Sequence, residues 1–272
     1  MKAETSARLR ACVPNALTLC NSLCGFAAII YTLRAYEYSY NNSGDPMGVF
    51  VISAIMIFSA MIFDACDGFA ARMLKATSMA GIQMDSLADM VTFGVAPATI
   101  VAIMTHSMRD WELKWVQELG VYLLCSVYLG CAALRLAIYN VQAIQPEKRK
   151  SRRGWFSGLP SPGAAAAICV LVFYAYHTSY DLYRLAFILP IYAGVLGLLM
   201  VSNVPYLHVG EWLVSMIHNR RKIGFFVLLL VLVAIFRING LVFIVTAYIL
   251  SGPVGMVTSL LIRPRKRDRE TE

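Results

Sequence analysis

Four of the chain's 16 acidic residues, Asp64, Asp67, Asp85 and Asp89, fall between residues 64 and 89, interleaved with Gly68, Ala71, Arg72, Ser78 and Gly81. Asp64 and Asp67 are spaced i,i+3 and Asp85 and Asp89 i,i+4, so on helices each pair shares one face. If the two faces converge, four carboxylates repel one another and their charge needs a partner. Arg72 and Lys75 are too few to neutralise them. An all-oxygen ligand set suits hard divalent ions such as Mg²⁺ or Mn²⁺. The small residues Gly68, Ala71 and Gly81 leave room on facing helices for a flat group such as a nucleotide.

The elements that must position these acids are set by composition. The chain has 272 residues, 58% of them hydrophobic and only 15% charged, with a mean hydropathy of +0.62. That balance excludes an ordinary soluble enzyme. The apolar residues run in bilayer-length stretches near 16–34, 47–66, 82–105, 119–139, 162–178, 184–202, 223–238 and 241–262. Each approximates the ~20 residues that a helix needs to cross about 30 Å of hydrocarbon. The expected fold is therefore all-α, a polytopic membrane bundle of about eight spans. The stretch 223–238 is short, and Arg237-Ile238-Asn239-Gly240 separates it from the last span, as in a tight hairpin. The first run lacks a small-residue cleavage signature and is expected to remain as a span. No linker or internal repeat divides the chain, so residues 1–272 read as one membrane domain. Pro190 and Pro253 fall inside spans, where neighbouring helices tolerate a kink.

The formal charge of +8 fixes the expected orientation. Lys2, Arg8, Arg10, Arg72, Lys75, Arg135, the run Lys148–Arg153, Arg220-Arg221-Lys222 and Arg263–Arg269 all fall on the side of the N-terminus. Arg34, Arg109, Lys114, Arg184 and Arg237 remain for the other side. Both termini, and the acids with them, are expected to face the cytoplasm. The basic run 148–153 reads first as this topology signal, with attraction to anionic lipid second. The seven cysteines show no paired spacing and read as packing residues. The four histidines are scattered over separate loops and are assigned no ligand role.

Over residues 64–89 the pattern is D-x2-D-G-x2-A-R-x8-G-x3-D-x3-D. It resembles the signature of the CDP-alcohol phosphotransferases, with no fixed position departing. The surrounding sequence is similar to the phosphatidylserine synthase branch. Pro14-Asn15-Ala16-Leu17-Thr18, Asn21 and Cys24-Gly25 open the first span, the signature's second half extends from Asp85 through Thr92-Phe93-Gly94 to Pro97, and Arg135-Leu136-Ala137-Ile138-Tyr139-Asn140 and Phe156–Pro162 follow. The branch commonly has Arg-Phe-Asn where this chain has Ile138-Tyr139-Asn140. The similarity covers about the first 165 residues, implying a catalytic core over 1–180 and added C-terminal membrane helices over 181–272.

What the resemblance implies is attack of an alcohol on the lipid-linked phosphorus of CDP-diacylglycerol, with CMP leaving. By that resemblance Asp64, Asp67 and Asp85 would hold two divalent ions, and Asp89 would bridge to them and serve as base. Asn15, Thr18, Gly68, Ala71, Arg72, Ser78 and Gly81 would border the cytidine diphosphate. For L-serine as acceptor, Arg135 is the best-placed cation, since a guanidinium can grip a carboxylate in bidentate fashion. Asn140 and Ser161 are further candidates there. The expected setting is the inner membrane, in contact with its lipids, as a homodimer without a nucleic-acid partner.

Two alternatives stand beside serine transfer. A sibling acting on glycerol 3-phosphate or inositol phosphate would need several convergent cations, and one acting on choline an aromatic cage. A cation transporter would place its acids near the bilayer midplane, in broken helices of paired repeats.

Overall fold

The computed structural model describes residues 2–41, 44–74, 78–107, 115–144, 158–178, 182–206 and 220–262. Among these residues all regular structure is helical: α1 (Lys2–Tyr40), α2 (Pro46–Met73), α3 (Met79–Asp89), a π-helical turn (Met90–Val95), α4 (Ala96–Ser107), α5 (Trp115–Ile144), α6 (Ser161–Thr178), α7 (Leu182–Val201) and α8 (Arg220–Ile262). Helices satisfy every backbone polar group internally, as a chain this apolar requires in lipid.

Six helical spans among the described residues are long and apolar enough to cross a membrane: Cys12–Tyr40, Pro46–Met73, Met79–Ser107, Trp115–Val141, Ser161–Thr178 and Val233–Thr258; Phe187–Val201 is a shorter apolar helix. The expected stretch 223–238 and the last expected span form two helical segments of α8 that meet at a break at Arg237, whose φ of 51° and ψ of −125° are non-helical, where the Arg237–Gly240 connection was expected. Helix runs through both Pro190 and Pro253.

The face that α1 turns inward carries Pro14, Thr18, Asn21, Gly25, Ala28, Thr32 and Ala35, all buried at alternating steps of three and four. Its other face exposes Leu19, Leu23, Phe26, Ile30 and Leu33. Small inward residues let backbones approach closely, which is how membrane helices gain contact without a hydrophobic drive between them. Along this face α1 packs most extensively on α2, and it also meets α3, the π turn and α4. Phe50, Ala54 and Ile57 of α2 and Ala164, Ala165 and Ile168 of α6 join one apolar core. On the far side α5 lies along α7, where a Cβ on Gly197 would stand 2.8 Å from the Tyr128 Cα.

α3, the π turn and α4 form one continuous span whose wide turn has a local cause. Pro97 lacks an N–H, and its ring crowds the carbonyl four residues earlier. That carbonyl belongs to Phe93 and accepts instead from the fully buried Tyr128 hydroxyl at 2.8 Å. A single π turn inside an α-helix commonly adjoins a functional site. Here it begins immediately after Asp89.

Candidate active site

The two acid pairs lie near the C-terminal end of α2 and along α3. α3 starts at Ser78, whose Oγ caps the helix by accepting from the Gly81 N–H at 3.0 Å. One carboxylate oxygen each from Asp64, Asp67 and Asp85 falls within 4.8 Å of the others, a group that could hold a metal ion. Asp67, only 5% exposed, is fixed by Thr18 of α1, whose hydroxyl donates to Asp67 Oδ2 at 2.8 Å and also lies 3.0 Å from the Pro14 carbonyl. Asp85 Oδ1 is buried with no hydrogen-bond partner. An orphaned carboxylate oxygen beside two further carboxylates is costly unless a cation sits among them. The donor set, all oxygen, fits a hard divalent ion.

Asp89 stands outside this triad. It lies one turn further along α3, and its Oδ1 accepts from Asn21 Nδ2 of α1 at 3.1 Å. Three of the four acids thus converge, and the fourth lies beside them within electrostatic reach of all three.

Beside the triad lies a cavity of about 200 Å³. Its walls include Asn15 and Thr18 of α1, Gly68, Ala71 and Arg72 of α2, and Ser78 and Gly81 at the start of α3, together with Asp67 and Asp85. These are the residues expected to border the nucleotide. A Cβ on Gly81 would come within 3.1 Å of Ser78 Oγ and 3.6 Å of Asn15 Oδ1, so glycine keeps this part of the cavity open. Pro14 and Ile82 complete the wall without having been foreseen as site residues.

The residues expected at the acceptor side lie elsewhere. Arg135, 7% exposed, donates from Nη1 to the Met200 carbonyl at 3.1 Å and from Nη2 to the Tyr139 hydroxyl at 3.1 Å. Asn140 borders a second cavity of about 350 Å³ between α3 and α5, shared with Gln83, Ser86, Leu87 and Met90. The Asn140 Oδ1 is buried and without a partner. Ser161 is buried at the start of α6, just after Gly158 and Leu159. Lys75, the basic run 148–153 and the C-terminal cations lie outside the described residues.

Asn21 was legible only as part of a motif, with no role attached. The available signal was its position three residues after Thr18: a second polar side chain on one face of an apolar span.

An apolar helical bundle that gathers carboxylates able to hold a metal ion beside a small cavity has the makings of a membrane-embedded transferase site. The chain matches the CDP-alcohol phosphatidyltransferase family over residues 11–201 and belongs to it. It is 32% identical over 200 residues to the CDP-diacylglycerol–serine O-phosphatidyltransferase of Bacillus subtilis, covering 72% of this chain and 90% of that protein. A protein of the same description from Helicobacter pylori strain J99 is 30% identical over 198 residues, 71% of this chain and 70% of the relative. That of Mycobacterium tuberculosis strain H37Rv is 28% identical over 193 residues, 71% of this chain and 60% of the relative.

Proposed function

We propose that the chain transfers the phosphatidyl group of CDP-diacylglycerol to the hydroxyl of L-serine, forming phosphatidylserine and CMP at the cytoplasmic face of the inner membrane. The observation that carries this reading is the arrangement of the acids: Asp64, Asp67 and Asp85 converge, Asp67 and Asp85 line the 200 Å³ cavity, and Asp89 is hydrogen-bonded by Asn21. The names of the relatives support serine as the acceptor.

In this reading the cytidine diphosphate occupies the cavity among Asn15, Thr18, Gly68, Ala71, Arg72, Ser78 and Gly81. Asp64, Asp67 and Asp85 would hold Mg²⁺ or Mn²⁺, with Asp89 at the edge of that cluster. A divalent ion there supplies charge stabilisation for the diphosphate as the leaving group departs. Arg72 adds a fixed cation at the cavity wall. The serine oxygen bonds to the lipid-linked phosphorus, the bond from that phosphorus to the CMP oxygen breaks, and the hydroxyl proton passes to Asp89. A carboxylate is an intrinsically weak base, so Asp89 acts by placement within hydrogen-bond reach of the hydroxyl.

Arg135, Asn140 and Ser161 form the acceptor side of the proposal. Asn140 supports it by facing α3, the helix that carries Asp85 and Asp89, across the second cavity. Residues 1–180 serve as the catalytic core, 181–272 as added membrane helices, and two copies form the working unit.

The decisive experiment supplies purified protein with CDP-diacylglycerol, Mg²⁺ or Mn²⁺ and a panel of serine, glycerol 3-phosphate, inositol phosphate and choline, and measures CMP release. Serine is expected to release CMP well above the others. Release with another alcohol but none with serine would transfer the assignment to that sibling activity.

A further inference from the structure

Asn21 is 0% exposed in the middle of an apolar helix, where a primary amide is costly unless its hydrogen bonds are made. Only its donor side is used: Nδ2 donates to Asp89 Oδ1 at 3.1 Å, while its own Oδ1 is buried without a partner. The amide therefore gives up half of its hydrogen-bonding capacity to reach this one carboxylate.

The backbone around it is fastened to the same place. The Asn21 carbonyl accepts from Thr92 Oγ1 at 3.2 Å, and Thr92 lies in the π turn that follows Asp89. One turn along α1, Gly25 meets Thr92 so closely that a Cβ would stand 2.9 Å from the Thr92 Cα. α1 is thereby fastened to the π turn immediately after the Asn21–Asp89 bond. One turn earlier Thr18 makes the corresponding bond to Asp67. The inward face of α1 thus offers one hydrogen-bond donor to the acid triad and a second, three residues on, to the acid outside it.

We propose that Asn21 is a positioning residue for Asp89, holding Oδ1 so that Oδ2 is presented to the acceptor hydroxyl. The inference rests on Asp89 acting as the base. Its energetic logic is geometric, since a displacement of about 1 Å in a reacting group can cost on the order of 100-fold in rate. A carboxylate with one oxygen anchored has one rotation left to lose; without the anchor both χ angles are free, and the like-charged neighbours push it away from the productive orientation.

The test compares Asn21→Ala, the near-isosteric but donor-less Asn21→Leu, and Asn21→Gln, which keeps the amide, in detergent-solubilised full-length protein. For each, kcat, the KM for serine, the KM for CDP-diacylglycerol, the Tm and the Mn²⁺-induced rise in Tm are measured. Asn21→Ala and Asn21→Leu are expected to lose roughly 10- to 100-fold in kcat with both KM values within about threefold and the Mn²⁺ response retained, and Asn21→Gln to recover part of the loss. A kcat within threefold of the parent in a folded Asn21→Ala protein overturns the proposal, as does a loss that disappears when variants are compared at equal distance below their Tm. Asp89→Asn is measured alongside. If it retains turnover, the base assignment itself fails; if it is inactive while Asn21→Ala is not, only the positioning role fails.

Discussion

The Arg135 guanidinium and the Met200 carbonyl, 65 residues apart in sequence, meet at 3.1 Å and tie α5 to the end of α7. The loop before α6 closes over this bond. Gly158 has φ +42°, and a Cβ there would stand 2.9 Å from the Met200 carbonyl carbon and 3.0 Å from Arg135 Nη1. Leu159 N–H completes the junction by donating to the Leu199 carbonyl at 3.0 Å. The cation proposed to grip the serine carboxylate is thus also a structural tie. A guanidinium has five N–H donors, enough for both tasks.

Arg135→Ala separates the two. Loss of the tie leaves a buried carbonyl without its donor, at about 1–3 kcal/mol, read as a lower Tm. If the guanidinium also grips the acceptor, the serine KM rises while the KM for CDP-diacylglycerol holds. A lowered Tm with an unchanged serine KM would leave Arg135 as scaffold alone. Arg135→Lys should recover little, because a point cation on a flexible stem cannot reproduce two forked bonds.

The triad predicts a stabilisation by divalent ions that needs no turnover to detect. Binding at 100 times the dissociation constant adds about 2.7 kcal/mol to folding stability, so Mn²⁺ or Mg²⁺ should raise the Tm of the parent protein and a chelator should reverse it. Asp85→Asn, which replaces the oxygen that lacks a partner, should abolish this response. It should also lower kcat by roughly 100-fold, the equivalent of about 3 kcal/mol of lost charge stabilisation. An undiminished Mn²⁺ shift in Asp85→Asn would remove Asp85 from the ligand set.

The acids were legible in the sequence because helical spacing fixes which residues share a face, and a carboxylate at the end of an apolar run has few bland explanations. The same holds for Gly68, Ala71 and Gly81, whose lack of bulk is itself the signal. Spacing did not reveal which partner Asp89 has: Asn21, 68 residues away, donates to it, and the π turn that follows it has Pro97 as its only local sign. Arg135 could be singled out as a cation at a helix end, yet its partner is a main-chain carbonyl, which carries no residue signature. Hydropathy located the membrane helices, and the polar step Arg237-Ile238-Asn239-Gly240 marked the point in α8 where the backbone leaves helical geometry, at Arg237.

Gly25 tests the seam between α1 and the π turn. Gly25→Ala puts a methyl against Thr92, with backbone as well as side chain in the way, so the neighbour cannot simply rotate aside. Overpacking of this kind costs about 1–3 kcal/mol. The Tm should fall accordingly, and kcat should fall with it because the displaced seam carries Asn21 away from Asp89. Gly120, with nothing near its added Cβ, is the control: Gly120→Ala should leave the Tm unchanged or raise it slightly.

The last helix supplies a separate test, because its docking depends on few contacts. Only 11% of the apolar window in Val233–Thr258 is buried, so the points where it meets the body of the protein must carry its placement. One is Tyr206, whose hydroxyl donates to the Ile249 carbonyl at 2.9 Å and whose ring fills the space beside Gly252. A Cβ on Gly252 would stand 2.7 Å from Tyr206 Cε2, and on the next turn Tyr248 passes 3.2 Å from where a Cβ on Gly163 of α6 would sit. Gly252→Ala should therefore lower the Tm by the cost of overpacking, and Tyr206→Ala by the loss of both the ring and the hydrogen bond. Because the two substitutions act on one contact, their effects should not add. With the ring gone the new methyl has nothing to strike, so the double variant should match Tyr206→Ala alone. Full additivity would mean that α8 is held at a different point and that the Tyr206–Gly252 contact is incidental.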